Sequence, residues 1–436
     1  MKVSAQRLLL QLESRGSFVI AGVVLWGALD LAYRFYVNPL NYYSGFYLNF
    51  SFIKYFEGFF LYVLLLFIAP RRLCRPSDYF INFLLFGLIS PLLLYYGVSD
   101  QSREHLYIVM LGYAIIECFR RGRLVKFPLV KKGPWIAYLV LASGAVVVSV
   151  WLAASGGAAF FNLDLAAVYE YRRDVGALIN QGFMGYMNNW AYKIFGPTLL
   201  AIGLWRRKYW LAGLVFLLHV YWFGVSSHKS VLFYPFLVVF LWVWFQKARA
   251  LSVVPFAMSG VVITALVIFC WFDEVLPAAM FIHRVFFIIA DNTFYYYDFF
   301  SRNEYVFWSN SITSSIIDYP YDIRYTELIG QSRGTEASVN NTFLSTGFMH
   351  AGIIGIVFYS VLAGLLFRLV DCLSVQGIPV WFAVAVLIVP SRALLLSADL
   401  PTALLTDGVA LGVMVLFLLR SRRWGGTAYD DRKLIQ

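Results

Sequence analysis

Apolar residues along this chain fall in blocks of about twenty, the length of helix that crosses a bilayer, separated by short polar stretches. One span per block predicts twelve, near 17–37, 50–69, 79–97, 105–119, 134–154, 188–205, 209–226, 230–246, 252–272, 343–367, 380–397 and 402–419. Two connections break the pattern of short links, one at about 155–187 and a much longer one at about 273–342. Ordinary connections run a few residues, and long ones are usually functional. Both are rich in aromatic and apolar residues, which argues against disorder and predicts amphipathic or re-entrant helices over the membrane surface. The expected fold class is all-α, a polytopic membrane protein with one integral-membrane domain over 1–436.

Composition agrees. Of 436 residues, 61% are hydrophobic and 14% charged, against roughly 45–50% and about 25% in soluble domains. Disordered, fibrous, disulfide-scaffold and cytosolic classes are thereby excluded. The net charge of +11 sits in short basic clusters between apolar blocks and forms no recognition motif, so nucleic acid is not an expected partner. With the N-terminus inside, 23 basic residues fall in cytoplasmic segments and eight outside, which orients the chain with both termini cytoplasmic. Cys74, Cys118, Cys270 and Cys372 show no metal-ligand spacing. The N-terminal stretch lacks a short apolar region with a small-residue cleavage site, so the first helix is expected to be retained.

Basic residues on the outer side run against the charge bias and call for a reason. They are Arg103, Arg172, Arg173, Lys229, Arg284, Arg302, Arg324 and Arg333. Converging cations suit a phosphate or pyrophosphate, which arginine grips through a bidentate fork; the plain alternative is that each is solvated or paired with a nearby acid. The run 281–300 is the most informative segment. Read as a helix, it carries Arg284, Asp291 and Asp298 at spacings of seven, with Tyr295 on the same face, as a narrow polar stripe across an aromatic surface. Such a stripe fits a helix at the interface turning its polar side to a cavity, or equally a solvated face. Within the spans, Asp30 and Arg34 are expected to pair, as are Lys54 and Glu57; Lys193, Arg392, Asp399 and Asp407 are further charges in or near spans.

The stretch 322–355 places Asn340, Asn341 and Thr342 just before the tenth span, followed by Gly347, Gly352 and Gly355. Together with PRRLCRPSDYF (70–80), YRRDVG (171–176), SSHKS (226–230) and HRVF (283–286), this resembles O-antigen polymerases of the Wzy type. One element differs: eleven residues after Arg172 and Arg173 stand Phe183 and Met184, where some members carry glycine.

The resemblance implies a GT-C-like fold in the bacterial inner membrane and lipopolysaccharide biosynthesis. It implies a metal-independent glycosyltransferase without cofactor, working at the periplasmic face. Such enzymes move a growing glycan from undecaprenyl pyrophosphate to the non-reducing end of a lipid-linked repeat unit. Donor, acceptor and membrane lipid are the implied partners, with a chain-length regulator and a flippase beside them. In that frame Arg284, with Arg172 or Arg173, Lys229, Arg324 and Arg333, holds the pyrophosphate and offsets its developing charge. Asp291, with Glu327 and Glu336 behind it, serves the acceptor hydroxyl. Tyr295, Tyr296, Tyr297 and Asn340 line the sugar groove. Inverting and retaining mechanisms both remain open. The rival classes are a flippase or transporter of lipid-linked oligosaccharide, an O-antigen ligase, and a non-catalytic scaffold. The concentration of polar residues in one outer loop and the lack of an internal repeat weigh against the transporter.

Overall fold

The computed structural model describes residues 11–164, 168–339 and 341–421. Among them every named element is helical, and the one β-bridge joins Arg72 to Ala250. All twelve predicted segments lie on helices. In chain order these are α1 (Arg15–Ser44), α2 (Phe52–Ile68), α3 (Pro76–Val98), α4 (Arg103–Arg120), α5 (Gly133–Ala154) and α6 (Val168–Ile179). Then come α7 (184–205), α8 (Tyr209–Ser226), α9 (Lys229–Phe245), α10 (Val253–Phe272), α11 (Val275–Phe300) and α12 (Tyr325–Ser332). The chain closes with α13 (Phe343–Ser374), α14 (Val380–Leu396), α15 (Leu400–Leu405) and α16 (Val409–Leu419).

Eight of the described helices are long and apolar enough to cross a membrane, counting α15 and α16 as one run; α9 and α14 are shorter apolar helices. This is an all-helical, polytopic membrane protein. Helix is what the bilayer demands, because it satisfies every backbone group within one segment. Large apolar side chains such as Leu139, Val146 and Val150 stand exposed along α5, a surface that lipid covers. Exposed aromatics form two girdles, Trp135, Tyr209 and Trp210 at one end of the bundle and Tyr43, Trp271 and Phe272 at the other, as at two membrane–water interfaces.

The basic connections gather at the first of these ends. Leu73 N donates to Arg249 O at 2.7 Å and Leu251 N to Arg71 O at 2.9 Å. Arg72 pairs with Glu13 at 3.0 Å, while Arg368 Nε donates to Arg123 O and Arg420 Nη2 to Pro128 O, each at 2.9 Å. Beneath them lies a buried polar knot. Arg120 pairs with Asp78 at 2.9 Å and with Glu117, and its Nη1 reaches Ser77 Oγ at 3.1 Å. Ser77 Oγ donates in turn to Asp371 at 2.7 Å. These bonds clamp α3, α4 and α13 together, and α3 is almost wholly enclosed by its neighbours.

Two features differ from the sequence expectation. The segment expected to open the long outer loop forms α11, which by length and hydropathy alone could cross a membrane. Its contacts nevertheless run along the end opposite the basic one: His283 meets Phe46, Asp291 meets Tyr95, and Tyr297 meets His105. Among the charges, Asp30 and Arg34 do pair, at 2.9 Å. Lys54 and Glu57 do not pair with each other. Lys54 reaches Asp100 at 2.8 Å and Glu57 holds Arg103 at 2.9 Å, each taking a partner from a neighbouring chain segment.

Candidate functional site

Helix α11 opens with one α-helical turn, Val275–Ala278, runs as π-helix over Ala279–Phe287, and is α-helical again from Ile288. On the α-helical part, Asp291, Tyr295 and Asp298 recur at four and three residues and line one cleft of about 380 Å³. Its other walls come from Gly45, Tyr47 and Asn49 after α1 and from Tyr95, Ser99 and Gln101 at the end of α3. These chain segments all lie at the end opposite the basic knot. Gly45 has φ +94°, a conformation that favours glycine, and a Cβ there would stand 3.0 Å from the Tyr295 hydroxyl.

Asp291 sits at the floor, 2% exposed. Tyr95 OH donates to Oδ1 at 2.8 Å, and Arg333, the residue that closes α12, bonds Oδ2 through Nη2 and Asn292 Oδ1 through Nη1. The same guanidinium lies 4.2 Å over the Tyr295 ring. A planar cation held by a carboxylate and stacked on an aromatic face is fixed in orientation. The result is a carboxylate and a tyrosine in one polar cleft, with an arginine outside its lining bonded to the first and stacked on the second, an arrangement able to bind a phosphate and to accept a proton from a hydroxyl.

The other residues singled out from the sequence scatter. Arg284 is exposed and does not line this cleft; the π-helical turns around it change the phase that an α-helical reading would give. The cation at Asp291 is Arg333 instead. Tyr296 is buried with its hydroxyl on Val339 O at 2.7 Å, tying the loop before α13. Tyr297 packs on His105 and Phe348, so Tyr295 alone of the three reaches the cleft. Glu327 is half-buried in the first turn of α12, and Arg324 and Glu336 are exposed; none of them lines the cleft. Lys229 opens α9, beside a different cleft. Arg172 and Arg173 fall on α6 with side chains outside the described residues, and Asn340 lies outside them altogether.

Sequence reasoning missed Tyr95 and a second buried network. His350 Nε2 lies 3.1 Å from Asp399 Oδ2, and its Nδ1 accepts from Trp308 N at 3.1 Å. Tyr359 OH donates to Asp399 Oδ1 at 2.9 Å and accepts from Trp308 Nε1 at 2.7 Å. Asp399 also caps α15, accepting from Leu400 N at 2.9 Å. The Asp-Leu-Pro run carried that much of the signal, since an acidic cap before a first-turn proline is a helix start. With His350 and Asp399 at 0% and 3% exposure and their polar atoms engaged, the network holds the fold and is closed to substrate. Replacing Asp399 by Ala strips three partners at once. At about 1–3 kcal/mol for each buried group left unpaired, we expect a clear drop in the thermal midpoint of the detergent-purified protein, with Asp399→Asn losing less.

No protein-family model matches the chain, and neither does any curated protein or any solved structure.

Proposed function

We propose that the protein is a glycosyltransferase that polymerises lipid-linked glycan, of the O-antigen polymerase kind. In this reading it sits in a bacterial inner membrane with both termini and the basic end cytoplasmic, and its clefts open on the periplasmic side. The observation that carries the reading is that Asp291 and Tyr295 line one cleft at the end remote from the basic loops, with Arg333 held against both. Arg333 offers the donor pyrophosphate the N–H groups that Asp291 and Asn292 leave unused, and the tyrosine and amide walls receive sugar. The acceptor hydroxyl oxygen attacks the anomeric carbon. The bond from that carbon to the pyrophosphate oxygen breaks, its electron pair leaves with undecaprenyl pyrophosphate, and the hydroxyl proton passes to Asp291. Donor and acceptor both being lipid-linked, no nucleic acid enters this scheme.

One observation favours a second reading, transport of a lipid-linked oligosaccharide. Helix α13 is broken at Ala351 and Gly352, the latter at φ +58° and ψ −140°, and discontinuous helices mark many transporters. Glycan laddering separates the two. In a host deleted for its own polymerase, expression of this protein is expected to restore a ladder of repeat units. A single unit persisting, together with a change in which leaflet holds it, overturns polymerisation in favour of transport.

A further inference from the structure

A second polar cleft, of about 250 Å³, lies away from Asp291, between the start of α7 and the start of α9. Asn180, Asn188, Asn189, Tyr192, His228 and Tyr234 line it. Helix α7 leads from it to Arg206–Lys208, and α9 leads to Lys247, so it opens at the same end of the bundle as the first cleft. Its chemistry differs from the first. The lysine in its wall, Lys193, is neutralised by Asp407 at 2.5 Å and further held by Asn189 Oδ1 at 2.7 Å. What remains is a wall of amides and hydroxyls without a spare charge from that pair. Asn188 is 1% exposed; its Nδ2 is committed to Ile179 O at 2.8 Å and Asn180 Oδ1 at 3.0 Å, while its Oδ1 has no partner among the described residues. A buried acceptor left unpaired is unfavourable unless a donor arrives.

Three aromatic rings stand at and just before the start of α7, outside the lining of the cleft. Phe183 and Tyr186, both exposed, pack at 5.7 Å and 6.2 Å on Trp190, whose Nε1 donates to Leu405 O at 2.8 Å. Amides and tyrosine hydroxyls converging on one cleft, one buried amide oxygen among them unpaired, match a molecule rich in hydroxyl groups.

We propose that this cleft is a saccharide site that grips the glycan away from the reacting bond. Naming the glycan as its ligand rests on the polymerase reading; the polyhydroxylated class of ligand rests on the cleft itself. The wall presents amides, hydroxyls and the His228 ring, groups that suit hydroxyls, whereas the guanidinium of Arg333 suits phosphate.

The test uses the full-length protein in detergent. The probe is the oligosaccharide released by mild acid from lipid-linked units of a host deleted for this gene, followed by tryptophan fluorescence. Saturable binding is expected, weakened about tenfold by Asn189→Ala and several-fold by Tyr234→Phe, and unchanged by Arg284→Ala, which lies outside the lining of both clefts. Tyr234→Phe removes one hydroxyl, so it keeps the result interpretable should Asn189→Ala misfold; size-exclusion profiles check both. Binding that ignores both cleft variants, or that disappears with Arg284→Ala, overturns the proposal. Laddering by the wild type is scored in parallel. A ladder with cleft-independent binding discards this site and keeps the polymerase reading. Cleft-dependent binding without a ladder keeps the site and discards that reading.

Discussion

Arg333→Ala is expected to abolish glycan polymerisation and to destabilise the protein, and a second substitution separates the two effects. The guanidinium is 10% exposed and Asp291 2%. Removing one partner of so enclosed a pair strands the other, a loss of about 3–5 kcal/mol. Adding Asp291→Asn removes the stranded charge, so the double variant is expected to recover most of the thermal midpoint. It is not expected to recover the ladder, because both the phosphate ligand and the proton acceptor are gone. Arg284→Ala, on the exposed side of the same helix, is expected to keep a ladder close to wild type. A double variant that regained laddering, or an Arg284→Ala protein as inactive as Arg333→Ala, would remove this site from consideration.

Gly355→Ala is expected to have the largest effect on folding. A Cβ at this position would stand 1.9 Å from Gly347 O, a backbone atom that cannot swing aside. The two glycines face each other across the break at Ala351 and Gly352, where the short buried segment 343–350 folds against the start of the long helix that follows. Forcing them apart displaces His350 from Asp399 and Trp308 as well. Overpacking costs about 1–3 kcal/mol where side chains yield, and backbone against backbone costs more. We expect little folded protein in membranes, measured by size-exclusion of a fluorescent fusion. Gly260→Ala on α10, where a Cβ meets nothing within 4 Å, is the matched control and should express normally.

The helices were legible from the sequence because a lipid solvent leaves few alternatives: a run of twenty apolar residues has to be helical. The polar stripe of α11 was legible from Asp291 to Asp298, where the chain keeps the α-helical repeat. It failed at Arg284, since no feature of AMFIHRVFF signals i→i+5 bonding. Arg333 was visible as an unexpected outer cation, but its partner was not. The 42 residues from Asp291 to Arg333, and the 196 from Tyr95 to Asp291, are closed by tertiary packing that periodicity does not encode. Lys54 and Glu57 show the converse, a local pairing rule overridden by better partners from elsewhere in the chain.

The clamp on α3 bears on how the protein is made. The ribosome releases Ser77 and Asp78 early, Arg120 42 residues after Asp78, and Asp371 only 294 residues after Ser77. Asn82 bonds Pro70 O and Asp78 O within its own stretch of chain, and Asp78 holds the N–H groups of Cys74 and Arg75, then Arg120 once α4 is made. Ser77 alone of the three waits for α13, whose Asp371 accepts from both its N–H and its hydroxyl. Chains that stop before residue 371 therefore keep the α3–α4 half of the clamp and lack the half that ties α3 to α13. The last third of the translation product thus closes a joint that the first third opens.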